Sequence, residues 1–178
     1  MTELLSRLSI PNFDVEGYFE QNGNNDSLLP NLGIAVSGGG YRAMLVGAGA
    51  ISAFDDRTTD ATGEGQLGGV LQAATYLAGL SGGSWLVGSL YMNNFTTVED
   101  IISVDEDAET ALWQLENSVI EGPDDDGISI LSTADYFTDL LDTVEGKDDA
   151  GFNTSITDYW GRGLSFQLIN TTDGGVGS

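Results

Sequence analysis

The chain has 178 residues, the size of one ordinary domain, and sets 5 Lys plus Arg against 28 Asp plus Glu for a formal net charge of −23 with no His. Such a surface repels phosphate-rich polyanions, which excludes DNA and RNA as partners, while 40% hydrophobic residues supply a core despite the charge. Zero Cys and zero His exclude disulfides, thiolate or imidazole metal sites, cysteine nucleophiles and any Ser-His-Asp triad built from this chain alone.

Residues 1–31 mix apolar and turn residues, with a loop over Asn22-Gly23-Asn24-Asn25-Asp26, and are expected to be lead-in. The apolar run Leu32-Gly33-Ile34-Ala35-Val36 predicts a buried strand that enters a tight turn at Ser37-Gly38-Gly39-Gly40. Tyr41 to Phe54 is almost wholly apolar or small, which predicts a helix packed on every side, with Gly47 and Gly49 allowing close backbone approach. Asp55 to Gly69 is expected to be a polar, exposed connection. Val70 to Leu80 reads as part helix, part strand, and leads into Gly79-Leu80-Ser81-Gly82-Gly83; from Ser84 to Met92 a second helix places Trp85, Leu86, Ser89 and Leu90 on one face. A strand, a glycine turn and a buried helix therefore occur twice.

Beyond Asn93 the pattern becomes helical, with Ala108, Leu112, Leu115 and Val119 at one spacing and Phe137, Leu140, Leu141 and Val144 at another. Ser132 with Asp135 resembles a capping box for the second of these helices, and Gly122-Pro123-Asp124-Asp125-Asp126-Gly127 marks a turn between them. Ile156 to Ile169, carrying Tyr159, Trp160 and Phe166, predicts a third helix, broken or bent near Gly161 and Gly163.

Two loops carry chemistry. Gly79-Leu80-Ser81-Gly82-Gly83 fits the G-x-S-x-G elbow, in which flanking glycines let a strained turn push a serine hydroxyl out between strand and helix. The following helix N-terminus would favour a developing alkoxide and oxyanion. Ser37-Gly38-Gly39-Gly40 exposes successive backbone N–H donors, the geometry of an anion cradle. Ser37 itself sits in a near-elbow and is the competing nucleophile; Ser81 is preferred because Gly79 completes its pattern. Arg42 stands in the first turn of an apolar helix, where the dipole disfavours a cation, so its guanidinium calls for an anion: a phosphoryl group held by two parallel hydrogen bonds, or a carboxylate of the chain. As structural features alone, both loops are also compatible with tight packing at crowded corners.

Ser37-Gly38-Gly39-Gly40-Tyr41-Arg42-Ala43-Met44, together with Gly79-Leu80-Ser81-Gly82-Gly83-Ser84-Trp85, resembles the fungal lysophospholipase, or phospholipase B, family, related to the animal cytosolic phospholipases. The likeness continues through Leu86 to Phe95 and from Lys147 to Asn170, and covers most of the chain from about Pro30 onward. It implies an α/β fold, namely part of a patatin-like or cytosolic-phospholipase-like catalytic domain with a central sheet flanked by helices. Residues 1–30 would be lead-in, 31–95 the nucleophile and oxyanion-loop core, and 96–178 a mainly helical continuation. It further implies Ser81 as the acyl-accepting nucleophile, Gly38 and Gly39 as oxyanion donors and Arg42 as the contact for the lipid phosphate. The family pairs its serine with an aspartate and uses no histidine. That aspartate lies further along a longer catalytic domain, so the 178 residues alone are expected to be inactive. Asp173-Gly174-Gly175 follows the Trp160 segment too closely to hold the aspartate's position.

The expected substrate is a phospholipid or lysophospholipid at a micelle or membrane surface, with no cofactor, no metal, no nucleic acid and no obligatory protein partner. The acidic surface favours zwitterionic or micellar lipid, or a low working pH. Asn25, Asn94, Asn153 and Asn170 each begin an N-x-[ST] acceptor, which points to a secreted or cell-surface glycoprotein whose signal peptide and any anchor lie outside this stretch; a salt-adapted intracellular protein would carry a similar charge. Two other readings compete with the hydrolase: a glycine-loop module for phosphate or nucleotide, to which Gly63-Glu64-Gly65-Gln66-Leu67-Gly68 adds a G-x-G-x-x-G match, and a catalytically inactive remnant.

Overall fold

The computed structural model of the protein describes residues 1–25, 27–103, 112–115 and 130–169. They belong to two compact units, Met1–Asp100 and Ile101–Ser178. In chain order the elements are α1 (Thr2–Arg7), α2 (Val15–Asn22), β1 (Gly33–Val36), α3 (Gly40–Phe54), α4 (Val70–Ala73), β2 (Tyr76–Gly79), α5 (Gly82–Met92), α6 (Val98–Ile102), α7 (Ile130–Asp149) and α8 (Ile156–Leu168). Among the described residues no helix is long and apolar enough to cross a membrane.

In the first unit β1 and β2 pair in parallel, with Gly33 opposite Tyr76 and Val36 opposite Gly79. Parallel strands cannot be joined by a tight turn, and α3 supplies the crossover. The observed mixture of helices and a small parallel sheet is α/β. α3 and α5 pack against one another, burying Met44, Gly47, Ala48 and Ile51 from the first and Leu86, Ser89 and Leu90 from the second. Met44 and Leu86 are wholly buried, each contributing about 1.5–3 kcal/mol relative to exposure. Gly47 is where the elements meet most tightly: an added Cβ would lie 2.5 Å from Val36 Cγ1 and 2.9 Å from Leu86 Cδ2.

Several expectations need correction. α3 is not packed on every side, because Leu45 and Val46 are 52% and 70% exposed, and Gly49 has nothing within 4 Å of an added Cβ. That open face and β1 bound an apolar groove of about 230 Å³ lined by Ile34, Val36, Ala43 and Val46 among others. The lead-in holds two helices; α2 is capped by Asp14, whose Oδ1 accepts from Gly17 N at 3.0 Å. The connection from Asp55 to Gly69 is turn-rich yet buries Asp55 and Ala61.

In the second unit α7 and α8 pack through Tyr136, Leu140 and Val144, with Tyr159 against them. α8 runs unbroken through Gly161 and Gly163. Its capping box is complete: Ser155 Oγ accepts from Thr157 N at 3.3 Å, and Asp158 Oδ2 accepts from Ser155 N at 2.9 Å. Lys147 at the end of α7 donates to the other Asp158 oxygen, and these bonds hold the Asp158 carboxyl below the ordinary carboxylate range. Burial pushes the Tyr136 hydroxyl up to about 12. The second unit also corrects the expected boundaries: α7 already includes Ile130, so Ser132 lies inside the helix rather than capping it. Leu112 and Leu115 are not helical, whereas Ala108, Val119 and the 122–127 turn lie outside the described residues.

Candidate active site

Because Val36 stands opposite Gly79, the two strands end side by side, and the loops that leave them start from one edge of the sheet. Leu80 N donates to Val36 O at 3.0 Å, carrying the pairing one residue into the second loop. Ser81 follows at φ +53° and ψ −121°, a conformation that costs a non-glycine residue on the order of 1–3 kcal/mol and persists only where its surroundings enforce it. Ser81 is exposed, its side chain does not cap α5, and among the described residues its hydroxyl has no hydrogen-bond partner.

Glycines enforce the corner by contact. A Cβ on Gly38 would lie 3.0 Å from Ser81 Cβ and 3.1 Å from Leu80 O, so the first glycine loop rests directly on the serine. Gly82 faces Gly40 O, Gly83 faces Val36 O, and Gly79 faces Gly83 O, each too closely to admit a methyl group. Two backbones therefore interlock around Ser81, which explains why so many glycines stand in these two loops.

The N–H groups of Gly38 and Gly39 have no acceptor among the described residues, and Gly39, at φ +138°, makes no side-chain cap on α3. Both α3 and α5 thus begin beside Ser81 without a side-chain cap, and the dipoles of their N-termini favour negative charge. Arg42, in the first turn of α3, is exposed and makes no ion pair among the described residues. Tyr41 beside it packs on Trp85 of α5 with ring centroids 5.3 Å apart, and burial raises the pKa of its hydroxyl. The structure thus gathers Ser81, Gly38, Gly39 and Arg42 around the starts of two adjacent helices. Ser37 follows the other strand without the positive-φ corner that presents Ser81.

The far ends of the same helices hold a feature that the sequence reading missed. Buried Asp55 accepts from Arg57 Nε at 2.9 Å, Arg57 Nη2 at 2.7 Å, Arg57 N at 3.0 Å and Gln72 Nε2 at 2.6 Å, while Arg57 Nη1 donates to Phe95 O at 2.8 Å. Burial pushes the Asp55 carboxyl up, but the hydrogen bonds and charge of Arg57 with the Gln72 bond outweigh it and leave the pKa below the usual value. The clamp ties the end of α3 to α4 and to the turn after α5. Its readable trace is an acid two residues before one of only five basic residues.

Asn25, Asn94 and Asn153 are all exposed; Asn170 and Asp173-Gly174-Gly175 lie outside the described residues. Gly63 to Gly68 form turns rather than a strand-to-helix loop.

A model of the lysophospholipase catalytic domain matches residues 32–178. Lysophospholipase 1 of Aspergillus fumigatus is 56% identical over 175 residues, which cover 98% of this chain and 27% of that protein. Lysophospholipase 3 of the same species is 58% identical over 177 residues, covering 99% and 28%, and a lysophospholipase of Penicillium chrysogenum is 51% identical over 176 residues, covering 99% and 28%. The chain thus spans little more than a quarter of the length of these curated relatives. No solved structure matches. The interlocked glycine loops fall within the matched region, and the chain belongs to the lysophospholipase catalytic-domain family.

Proposed function

We propose that the chain carries the nucleophile and oxyanion half of a serine lysophospholipase of the phospholipase B type, within a patatin-like or cytosolic-phospholipase-like catalytic domain. The observation that carries this reading is the contact of Gly38 with a Ser81 held at positive φ. Ser81 Oγ attacks the carbonyl carbon of a fatty-acyl ester and gives up its proton to a carboxylate base. The oxyanion of the tetrahedral intermediate receives the N–H groups of Gly38 and Gly39, and loss of one such donor typically costs about 10²–10³ in rate. Collapse of that intermediate breaks the ester C–O bond, and the glycerophospho-alcohol leaves with the proton. Water, deprotonated by the same base, then attacks the acyl-serine, releases the fatty acid and restores the hydroxyl.

The family resemblance pairs the serine with an aspartate rather than a histidine, and puts that aspartate further along the polypeptide than these residues. An aspartate with a pKa near 4 is a poor base, so its surroundings must raise it. Arg42 holds the lipid phosphate through its guanidinium fork, a role supported by its having no ion pair among the described residues. The exposure of Asn25, Asn94 and Asn153 supports a secreted or cell-surface glycoprotein, and the net charge of −23 favours zwitterionic over anionic lipid.

The test, in the full-length protein, is labelling with a fluorophosphonate alongside hydrolysis of lysophosphatidylcholine. Both are expected to vanish in Ser81→Ala and to persist in Ser37→Ala; labelling that survives loss of the Ser81 hydroxyl would refute the assignment. Arg42→Gln is expected to raise KM for lysophosphatidylcholine and leave the hydrolysis of an uncharged ester unchanged.

A further inference from the structure

The six-residue stretch from Gly79 to Ser84 holds two serines with opposite fates. Ser81 keeps its hydroxyl without a partner among the described residues, whereas Ser84 Oγ donates to Gly79 O at 2.7 Å. We propose that Ser84 is a positioning residue that holds Ser81 in its strained conformation, an inference that rests on Ser81 being the nucleophile.

The hydrogen bonds around the corner support this division of labour. Gly83 N donates to Leu80 O at 3.0 Å, and Ser84 N and Trp85 N donate to Ser81 O at 2.7 and 3.1 Å. The carbonyls of Leu80 and Ser81 are thus satisfied by main chain of the first turn of α5. Gly79 O, the last carbonyl of β2, is instead satisfied by a side chain, and the bond joins the residue two before Ser81 to the residue three after it. Glycine contacts keep the two arms close but do not fix their direction. A hydroxyl-to-carbonyl bond is directional and fixes the angle at which the strand enters the helix. A helix is usually held at its start by the side chain of the cap residue; at α5 that residue is Ser81, which makes no such bond. Ser84 reaches backwards to do the holding, and the Ser81 oxygen is left for chemistry.

Ser84 is exposed, so water can replace its hydroxyl at Gly79 O and removal should cost little stability. A water molecule does not hold two backbone arms at a set angle, so the loss should fall on the chemical step. In the full-length protein, Ser84→Ala is expected to lower kcat for lysophosphatidylcholine about tenfold, the scale of one directional hydrogen bond, with KM within about twofold. The rate of fluorophosphonate labelling per folded molecule should fall in parallel, with the urea midpoint unmoved. Ser84→Thr keeps the hydroxyl at an open position and should restore kcat to within about threefold of the parent. An unchanged kcat in Ser84→Ala, a Ser84→Thr no better than Ser84→Ala, or a loss that merely follows a smaller folded fraction would each overturn the proposal. If Ser81→Ala itself remained active, the nucleophile reading would fall and this inference with it. Failure of the Ser84 variants beside an inactive Ser81→Ala would remove the positioning role alone.

Discussion

The helices α3 and α5 on one side, and α8 on the other, meet the same physical problem in opposite ways. Every helix leaves its first N–H groups without partners inside the helix. At α8 Ser155 accepts from Thr157 N and Asp158 N, and the Asp158 carboxylate in turn accepts from Ser155 N and Lys147, so a side-chain box closes that start. At α3 and α5 the cap residues are Gly39 and Ser81, neither with a side-chain cap, and both helices start from backbone at positive φ. A capped start contributes about 1 kcal/mol; an uncapped one forgoes that, and before α3 the N–H groups of Gly38 and Gly39 are left for a ligand. Glycine has opposite meanings in the two places: around Ser81 it is required by contact, whereas in α8 Gly161 faces open space.

The contrast can be broken at its strongest point first. Gly82→Ala drives a methyl group into Gly40 O, where backbone rather than a yielding side chain resists. We expect a loss of about 3 kcal/mol or more in urea unfolding, with fluorophosphonate labelling abolished. Gly161→Ala in α8 should instead gain about 0.5–1 kcal/mol and leave labelling alone. If the two substitutions behaved alike, the interlocked corner would not be what these loops are for.

Next in size is Asp55→Asn, which removes the charge from the clamp and should cost about 2 kcal/mol at neutral pH. The sign with pH follows from the lowered folded-state pKa of Asp55. Its contribution is complete above the unfolded value near pH 4 and is lost as pH falls through the folded value. Urea midpoints of parent and variant should therefore converge in acid, and a gap that widened there would contradict the clamp. A smaller effect belongs to Ser155→Ala, which opens the α8 start for about 1 kcal/mol and should leave labelling by Ser81 unaffected. Of similar size but opposite sign is Ser81→Gly: relief of the strained φ should raise stability by about 1 kcal/mol while labelling disappears, a trade measurable by calorimetry and probe together.

What could be read from the residues was what local chemistry decides. The two strands, the helices after them and the Ser81 corner follow from apolar runs that end in glycine, because glycine admits the close backbone approaches those turns require. Glycine alone did not say which neighbour requires it: Gly47 and Gly49 look equivalent in sequence, yet only Gly47 meets Val36 and Leu86. Apolar composition likewise overstated the burial of α3, since Leu45 and Val46 lie on a face that remains open. Of the break or bend expected near Gly161 and Gly163, the break is absent, because a complete capping box and the burial of Leu164 and Leu168 outweigh about 1 kcal/mol for each glycine. The two lead-in helices went unread although Asp14 before Val15-Glu16-Gly17 is an ordinary cap. The clamp at Asp55 needs residues up to 40 positions apart, from Asp55 to Phe95, to come together, and no local pattern announces that.

The pairing of Val36 with Gly79 also bears on how such a chain can change over generations. Deleting or inserting one residue in either strand would swap the faces of its side chains and turn both helix starts away from each other. Only substitutions can be accepted there. The exposed turns from Gly63 to Leu67 carry no such constraint on their number of residues, so lineages should record their gains and losses of length in that stretch.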